Sequence, residues 1–283
     1  MQTSLFPDRF RILSGSGLKT IAMVAMLIDH TAHSFQKLLK QYLFTMFNIR
    51  FTPYILLRGV GRIAFPIFCF LLAEGFRHTR SKPRYALNLL IFAILSEIPF
   101  NIVHDGVLAY PNQNVFFTLL LGFLGMWVIS RIREVPRSAC LGLAGLGVLA
   151  LLLQPGIPIY GPVALIALGL FAALIHESAP LRGALILVGL GIIALLLKCD
   201  YDWKGYLLIL LTYLLGEHPM VQCLSGVTLL SWPGGVACAY PLMNLYNGKR
   251  GYIHGPVLKY AFYLFYPVHL TIIWLVHLKT LGY

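Results

Sequence analysis

The segment GLKTIAMVAMLIDHTAHSF, from Gly17 to Phe35, begins as an apolar run and then places an acid beside two histidines. Ile21 to Ile28 contains only residues that a lipid bilayer accepts, and Asp29, His30 and His33 follow at once. A carboxylate at membrane depth costs roughly 3 kcal/mol or more unless it is paired or faces water. The segment therefore predicts a membrane-spanning helix with a polar site built into it.

The composition extends this prediction to the whole chain. Of its 283 residues 58% are hydrophobic and only 11% are charged, and the mean hydropathy is +0.78, whereas a soluble domain is about 45–50% apolar. Apolar windows of span length recur from Leu18 to Leu278. We expect an all-α, polytopic transmembrane helical bundle of about ten helices, with residues 1–283 forming a single transmembrane acyltransferase-like domain. The predicted spans are 18–36, 63–77, 85–103, 115–133, 138–153, 160–176, 183–198, 205–217, 220–243 and 260–278.

The charges indicate a membrane surface as partner. Lys and Arg number 22 against 10 acids, a formal net charge of +12, and short loops hold most of these cations. Positive-inside topology and anionic lipid headgroups explain that pattern, so we expect membrane lipids and no nucleic acid as partners. The chain is predicted to be multi-pass in the bacterial inner (cytoplasmic) membrane. The five cysteines have neither CxxC nor metal-ligand spacing, so no metal is expected.

The Lys/Arg bias also predicts orientation. The basic loops at 77–84 and 131–137 read as cytoplasmic, and alternation of ten spans then puts both termini inside. Two cationic segments, 37–62 and 244–259, oppose this assignment, so either the topology is wrong there or those cations have a function. The segment 205–217 is short and 220–243 contains SWPGG, so we expect one of them to be broken or re-entrant.

Three of the acids, Asp29, Glu74 and Glu97, lie inside predicted spans. Each is a functional-site hypothesis or a polar tie between helices. On a helix, Asp29 and His33 are four residues apart and can pair, whereas Asp29 and His30 point about 100° apart and cannot easily bond each other. His30 is therefore directed at a substrate or at an acid from another helix, where neutral imidazole can act as a general base.

Two further pairs repeat the four-residue spacing. Arg58 and Arg62 suit a phosphate or carboxylate ligand through bidentate donors, or they are cations that reach the membrane interface. Glu74 and His78 are acid and base, or one buried ion pair.

Proline-containing spans supply the remaining site candidates. Glu97 and Asn101 flank Pro99 near a span end, where a freed carbonyl favours a pocket wall. Tyr266 and His269 flank Pro267 and give the chain a second intramembrane histidine.

Six ordered motifs, LKTIAMVAMLIDH, GRIAFPIFCFLLAEGFRHTR, LLIFAILSEIPFN, NVFFTLLLG, LYNGKRG and FYLFYPVHL, resemble the TraX family, which is named for the F-pilin acetylase of conjugative plasmids. The resemblance runs over nearly the whole chain and is strongest in 18–122 and 244–270. More remotely, the order of motifs is similar to transmembrane acyltransferases such as the heparan-glucosaminide acetyltransferase group.

The resemblance implies acetyl transfer from cytoplasmic acetyl-CoA to an amine or hydroxyl, with an intramembrane histidine central to the chemistry. On matching positions it makes His30, Asp29 and Glu74 the catalytic candidates, with Arg62 and His78 lining the site. The phosphates of acetyl-CoA need cations at a membrane face. The candidates for binding this cofactor are Lys19, Arg62, Arg77, His78, Arg80, Lys249 and Arg250.

Several alternatives stay open from the residues alone. His30 is either a general base or a transient carrier of the acetyl group. A proton-coupled transporter or flippase uses intramembrane acids and histidines as a relay, and a structural subunit of a surface-assembly complex needs neither chemistry. The acceptor of the acetyl group, whether a peptide amino terminus, an amino sugar, a cell-wall polymer or a small amine, is equally open.

Overall fold

The computed structural model describes residues 7–40, 44–46, 49–105, 112–153, 159–175, 178–230, 233–253 and 255–281. Its helices are a 3-10 turn Asp8–Phe10, α1 Gly15–Ser34, α2 Gln36–Leu39, α3 Pro53–Gly61, α4 Ala64–His78, α5 Lys82–Asp105, α6 Val115–Ser130, α7 Arg137–Leu153, α8 Tyr160–Leu174, α9 Ala179–Leu196, α10 Asp202–Leu214, α11 Pro219–Leu229, α12 Pro233–Asn244 and α13 Gly255–Leu281. Strands β1 Phe44–Met46 and β2 Ile49–Phe51 form one antiparallel hairpin, in which Thr45 pairs with Arg50. The predicted all-α bundle is confirmed.

Four helical segments of the described residues are long and apolar enough to cross a membrane. They are Pro53–His78, Lys82–Val103, Ala179–Leu196 and Gly255–Thr280, and four shorter apolar helices accompany them. The chain is a membrane protein. Helix α1 has the length of a span, but its lysine, acid and histidines make it more polar than these four segments.

The predicted span 220–243 is two helices, α11 and α12, so the expected break lies there. Each helix has a proline in its first turn, where the fixed φ angle suits a helix start and no amide donor is lost. The two helices pack on each other, since a methyl group on Gly226 of α11 would meet the hydroxyl of Tyr240 in α12. Ser231 and Trp232 lie outside the described residues. The chain therefore turns back between α11 and α12.

This hairpin returns the chain to the end of the bundle where α1 begins. The backbone there pairs with the residues before α1: Gly15 N donates to Lys249 O at 2.8 Å, and Ser16 N donates to Arg250 O at 2.9 Å. We call this end, defined by residues 13–16 and 245–250, the N-terminal face. The predicted topology placed the cations in 244–259 outside and the N-terminus inside. In the structure these cations lie on the same face as the start of α1, so they no longer oppose the Lys/Arg bias.

Helix α13 runs alongside α1 in the same direction. The ring of His277 lies 5.4 Å from that of Phe35, just after α1 ends. The end of α13 therefore lies at the far end of the bundle, which we call the opposite face. The prediction that both termini share a face is wrong, because it counted 220–243 as a single crossing.

Ser14 is the N-cap of helix α1, and its hydroxyl accepts a hydrogen bond from the Gly17 amide at 3.2 Å. Its buried face repeats at intervals of three and four residues, which is the period of one helix stripe. That stripe consists of Leu18, Ala22, Ala25, Asp29 and Ala32. The small alanines admit close neighbours, and Asp29 therefore lies in the packing face of α1.

Candidate functional site

His30 and His269 form a buried pair in the half of the bundle nearer the opposite face. His30 on α1 is 8% exposed and His269 on α13 is 4% exposed. His30 Nδ1 lies 2.7 Å from His269 Nε2, and the rings are nearly parallel with centroids 5.0 Å apart. Sequence reasoning selected both histidines, and the fold joins them across 239 residues of chain.

A backbone carbonyl fixes which nitrogen of each neutral ring holds the proton. His269 Nδ1 lies 2.7 Å from Phe265 O. A carbonyl oxygen only accepts, so Nδ1 of His269 carries the hydrogen and its Nε2 has a lone pair. His30 Nδ1 then donates to that lone pair, which leaves the lone pair of His30 on Nε2. In this arrangement His269 sets the orientation and the tautomer of His30.

Asp29 points away from His30 and towards the junction of α3 and α4. Its Oδ2 accepts hydrogen bonds from Arg58 Nη1 at 2.5 Å and from Arg62 Nη2 at 3.4 Å. The predicted separation of Asp29 from His30 is confirmed by these different neighbours. The spacing also allows Asp29 to pair with His33, but two guanidiniums from α3 and its C-cap engage the carboxylate instead.

Gly61, the last residue of α3, makes room for that carboxylate. A methyl group built on Gly61 would lie 2.3 Å from both Cβ and Oδ1 of Asp29. Such a distance is far inside van der Waals contact, so only glycine permits Asp29 to sit against this turn. Sequence reasoning missed Gly61, although its place one residue before Arg62 was a signal.

An apolar cavity of about 100 Å³ lies between α1, α4, α5, α6 and α13. Lys19 lines it near the N-terminal face, with its ammonium over the ring of Phe262 at 5.2 Å. Met26, one helical turn before His30, and Tyr266 line it further along. Lys19 and His30 are eleven residues apart in α1, roughly 16 Å. The cavity thus follows α1 from Lys19 to Met26, and Tyr266 in its wall packs against both histidine rings.

A second cavity, of about 550 Å³, lies at the opposite face. Its polar lining combines both signs of charge: His33, Arg62, Asn112, Lys198, Asp200, Tyr201, Asp202 and Lys204. Burial raises the pKa of the Asp200 carboxyl to about 6, although the Arg62 guanidinium acts in the other direction. This cavity meets the Asp29 cluster at Arg62.

The loop that walls this second cavity is held in an unusual backbone conformation. Lys198, Tyr201 and Asp202 have φ angles of 49°, 65° and 54°, which non-glycine residues rarely adopt. The loop is fixed to the start of α6, where Asp200 N donates to Gln113 O at 2.7 Å. Strain of this kind concentrates at functional sites. Sequence reasoning missed the loop; the charged run KCDYDWK between two apolar helices was the available signal.

Glu97 and Asn101 form a polar tie between α5 and the start of α6. The Glu97 carboxylate accepts from Asn101 Nδ2 at 2.9 Å and from Asn114 Nδ2 at 2.5 Å. Asn114 also caps α6 by accepting from the Phe116 amide at 3.0 Å. The structure thus shows the structural alternative for Glu97, a tie that positions the N-terminus of α6.

Glu74 and its neighbours lie elsewhere, near the N-terminal face. Glu74 Oε1 accepts from Arg77 Nη1 at 2.8 Å, and Glu74 Oε2 lies 3.6 Å from His78 Nε2. Helix α4 carries Glu74 ten residues, roughly 15 Å, beyond Ala64 and the Asp29 cluster. The family resemblance implied that Glu74 and His78 share a site with His30. The fold does not bring them together. Glu74 forms its ion pair with Arg77, and the His78 side chain is 76% exposed, so the two do not form the buried ion pair that was the other alternative.

The remaining cationic candidates surround that same face. Arg77 also donates to Tyr213 O at 2.8 Å. Arg80, Lys249 and Arg250 are exposed there, while Lys19 points into the apolar cavity. The predicted cofactor cations thus gather at the N-terminal face, with the exception of Arg62, which is bound to Asp29 at the other end.

Comparison with known proteins identifies the family. The profile described as TraX protein matches residues 14–187 and 163–277. The chain is also 29% identical over 266 residues to a protein of Dichelobacter nodosus described as "Probable fimbrial assembly protein FimC, serogroup H1", an alignment that covers 90% of this chain and 92% of that protein. No solved structure matches the chain. With the family profile covering most of its length, the chain belongs to the TraX family.

Proposed function

We propose that this protein is an integral membrane acetyltransferase that moves the acetyl group of acetyl-CoA to an amine or hydroxyl acceptor. The observation that carries the proposal is the buried His30–His269 pair, whose rings pack against Tyr266 in the wall of the apolar cavity. A buried imidazole whose tautomer is fixed by a second histidine has the arrangement of a general base held by a positioning residue.

The proposed donor path begins at the N-terminal face. The phosphates of CoA bind among the exposed Lys249, Arg250 and Arg77, and the apolar cavity receives the thioester arm past Lys19. The clustering of basic loops on this face favours it as the cytoplasmic side of the bacterial inner membrane, where acetyl-CoA is available. The thioester then lies beside His30.

The proposed reaction is one acyl transfer. His30 Nε2 takes a proton from the acceptor hydroxyl or amine as the acceptor oxygen or nitrogen bonds to the thioester carbon. The carbon–sulfur bond breaks, and the CoA thiolate leaves and is protonated by the imidazolium. His269 keeps the His30 tautomer correct, and Asp29 holds Arg58 and Arg62 at the wall of the polar cavity.

The proposed acceptor path is the charged cavity at the opposite face, because it adjoins the α1 turn that carries His30 and His33. The relative in Dichelobacter nodosus is described as a probable fimbrial assembly protein, which favours a pilus subunit as acceptor. A peptide amino terminus is one amine on such a subunit that can accept an acetyl group.

The test incubates purified protein with labelled acetyl-CoA and a panel of acceptors: a pilin-derived peptide, an amino sugar and a small amine. We expect acceptor-dependent CoA release and thermal stabilisation by CoA. His30→Ala should lower the rate by roughly 100- to 10,000-fold, while His218→Ala, an exposed histidine at the N-cap of α11, should leave it unchanged.

The same preparation separates the rival functions. Absence of CoA release and of CoA stabilisation would sink the proposal. Proton-coupled flux in liposomes that does not depend on CoA would identify a transporter instead. Full pilus assembly by His30→Ala in cells would favour a structural subunit.

A further inference from the structure

Tyr266 has a buried hydroxyl whose proton no described residue accepts. The residue is 3% exposed, and its ring packs edge-on against His30 at 5.8 Å and against His269 at 5.6 Å. It lines the apolar cavity. Among the described residues, its Oη–H has no acceptor. A buried donor without an acceptor destabilises a fold, so a ligand in this cavity is the natural partner for that proton.

The N-terminus of α6 lies against the same oxygen. Asn114 Oδ1 caps the helix by accepting from the Phe116 amide, while the Val115 amide lies next to the Tyr266 phenol. An amide is a donor and cannot take the phenol proton. Val115 also lines the cavity. Two donors, one hydroxyl and one helix-terminal amide, thus meet beside the histidine pair, where the helix N-terminus carries partial positive charge.

We propose that Tyr266 and the start of α6 form the site that receives the carbonyl oxygen of the acyl donor. This inference rests on the proposed acetyl transfer. As the acceptor adds to the thioester carbon, the electron pair of the C=O bond moves to oxygen, and Tyr266 Oη–H and Val115 N–H donate to it. When the tetrahedral intermediate collapses, the pair re-forms C=O and the carbon–sulfur bond breaks. Tyr266 is then a catalytic residue in addition to His30.

The arrangement gives the two groups separate tasks. The lone pair of His30 Nε2 removes a proton from the acceptor, and Tyr266, whose ring lies edge-on to His30, stabilises charge on the donor. The Glu97–Asn114 tie holds the start of α6 in place, so this acid positions the amide.

Tyr266→Phe keeps the ring and removes the hydroxyl. We expect kcat to fall roughly 100- to 1,000-fold, the usual loss for one donor to an oxyanion, while thermal stabilisation by CoA stays the same. The control is Tyr240→Phe. Tyr240 is also 3% exposed with an unpartnered hydroxyl, but it lies in α12 outside the cavity. It should keep the wild-type rate.

A spectroscopic measurement tests the contact without turnover. Acetyl-CoA labelled with ¹³C at the carbonyl, bound to wild-type protein, should show a carbonyl stretch at lower frequency than the free thioester, and Tyr266→Phe should return it towards the free value. If wild type releases CoA but Tyr266→Phe matches it in both rate and frequency, the inference is overturned and acetyl transfer stands. If wild type neither binds nor cleaves acetyl-CoA, the proposed function fails and this inference fails with it.

Discussion

Gly61→Ala tests the geometry that places Asp29 in the membrane. The added methyl group would lie 2.3 Å from Asp29 Cβ and Oδ1, so α1 and α3 must separate or the carboxylate must rotate. Either movement takes Asp29 Oδ2 out of its 2.5 Å contact with Arg58 and its 3.4 Å contact with Arg62. The substitution thus breaks the ion cluster without altering any charge.

The cost follows from the burial of the cluster. Breaking one side of a buried ion pair costs about 3–5 kcal/mol. The side chains of Asp29 and Arg58 are 11% and 17% exposed, so water relieves part of this cost, and we expect about 3 kcal/mol, the low end of that range. Acceptor-dependent CoA release should fall as well, because Arg62 loses its position at the cavity wall.

Gly59→Ala is the matched control, two residues away in the same helix. A methyl group on Gly59 would meet nothing within 4 Å, and alanine is favoured over glycine in a helix by up to about 1 kcal/mol. The assay is unfolding of both variants in the same detergent, with CoA release measured in parallel. If Gly61→Ala matches Gly59→Ala in stability and in activity, then Asp29 does not occupy the space beside Gly61 and the cluster described above is wrong.

Three further predictions concern the histidine pair and the two cavities. His269→Phe keeps a ring beside His30 but removes the acceptor for its Nδ1–H, so kcat should fall roughly 100-fold, and an unchanged rate would show that His269 does not position His30. Met23→Trp fills the apolar cavity and should raise KM for acetyl-CoA in initial-rate measurements, whereas equal KM values would exclude this cavity as the donor path. The pKa of Asp200 is about 6 in the fold against an ordinary 3.8, so the folded state holds this proton more tightly than the unfolded chain. The melting temperature should therefore fall as pH rises from about 4 to about 6. Asp200→Asn should remove that part of the fall.

Hydropathy and proline placement were enough to predict most of the fold. Nine of the ten predicted spans correspond to single helices, because a run of apolar residues in lipid must satisfy its backbone hydrogen bonds internally and becomes a helix. The tenth, 220–243, is two helices. The SWPGG stretch indicated a break. Whether the second helix continues across the membrane or turns back depends on its packing, which the sequence does not show.

The sequence predicted which residue types form the candidate site, but not which of these residues contact each other. Six polar residues of the site were selected because polar groups at membrane depth are costly unless they are paired or functional. They are Asp29, His30, Arg58, Arg62, Tyr266 and His269. Their pairing depends on which helices pack together: His30 meets His269 because α1 and α13 run side by side. Glu74 carried the same signal as Asp29, yet it lies near the N-terminal face because α4 runs from the Asp29 cluster to that end of the bundle.

Two features had signals in the sequence that did not reveal their roles. Gly61 is one of 26 glycines, and its role appears only when the position of the facing carboxylate is known. The loop at 198–202 contains charges of the kind that usually mark a solvated turn, and its left-handed backbone at Lys198, Tyr201 and Asp202 is set by its contacts with the start of α6.

The most direct test of the central claim is an experimental density map of the protein with bound CoA. We expect the nucleotide at the N-terminal face beside Lys249 and Arg250, the arm in the cavity past Lys19, and the sulfur beside His30 and Tyr266. A nucleotide bound at the opposite face, or a sulfur remote from His30, would contradict that claim.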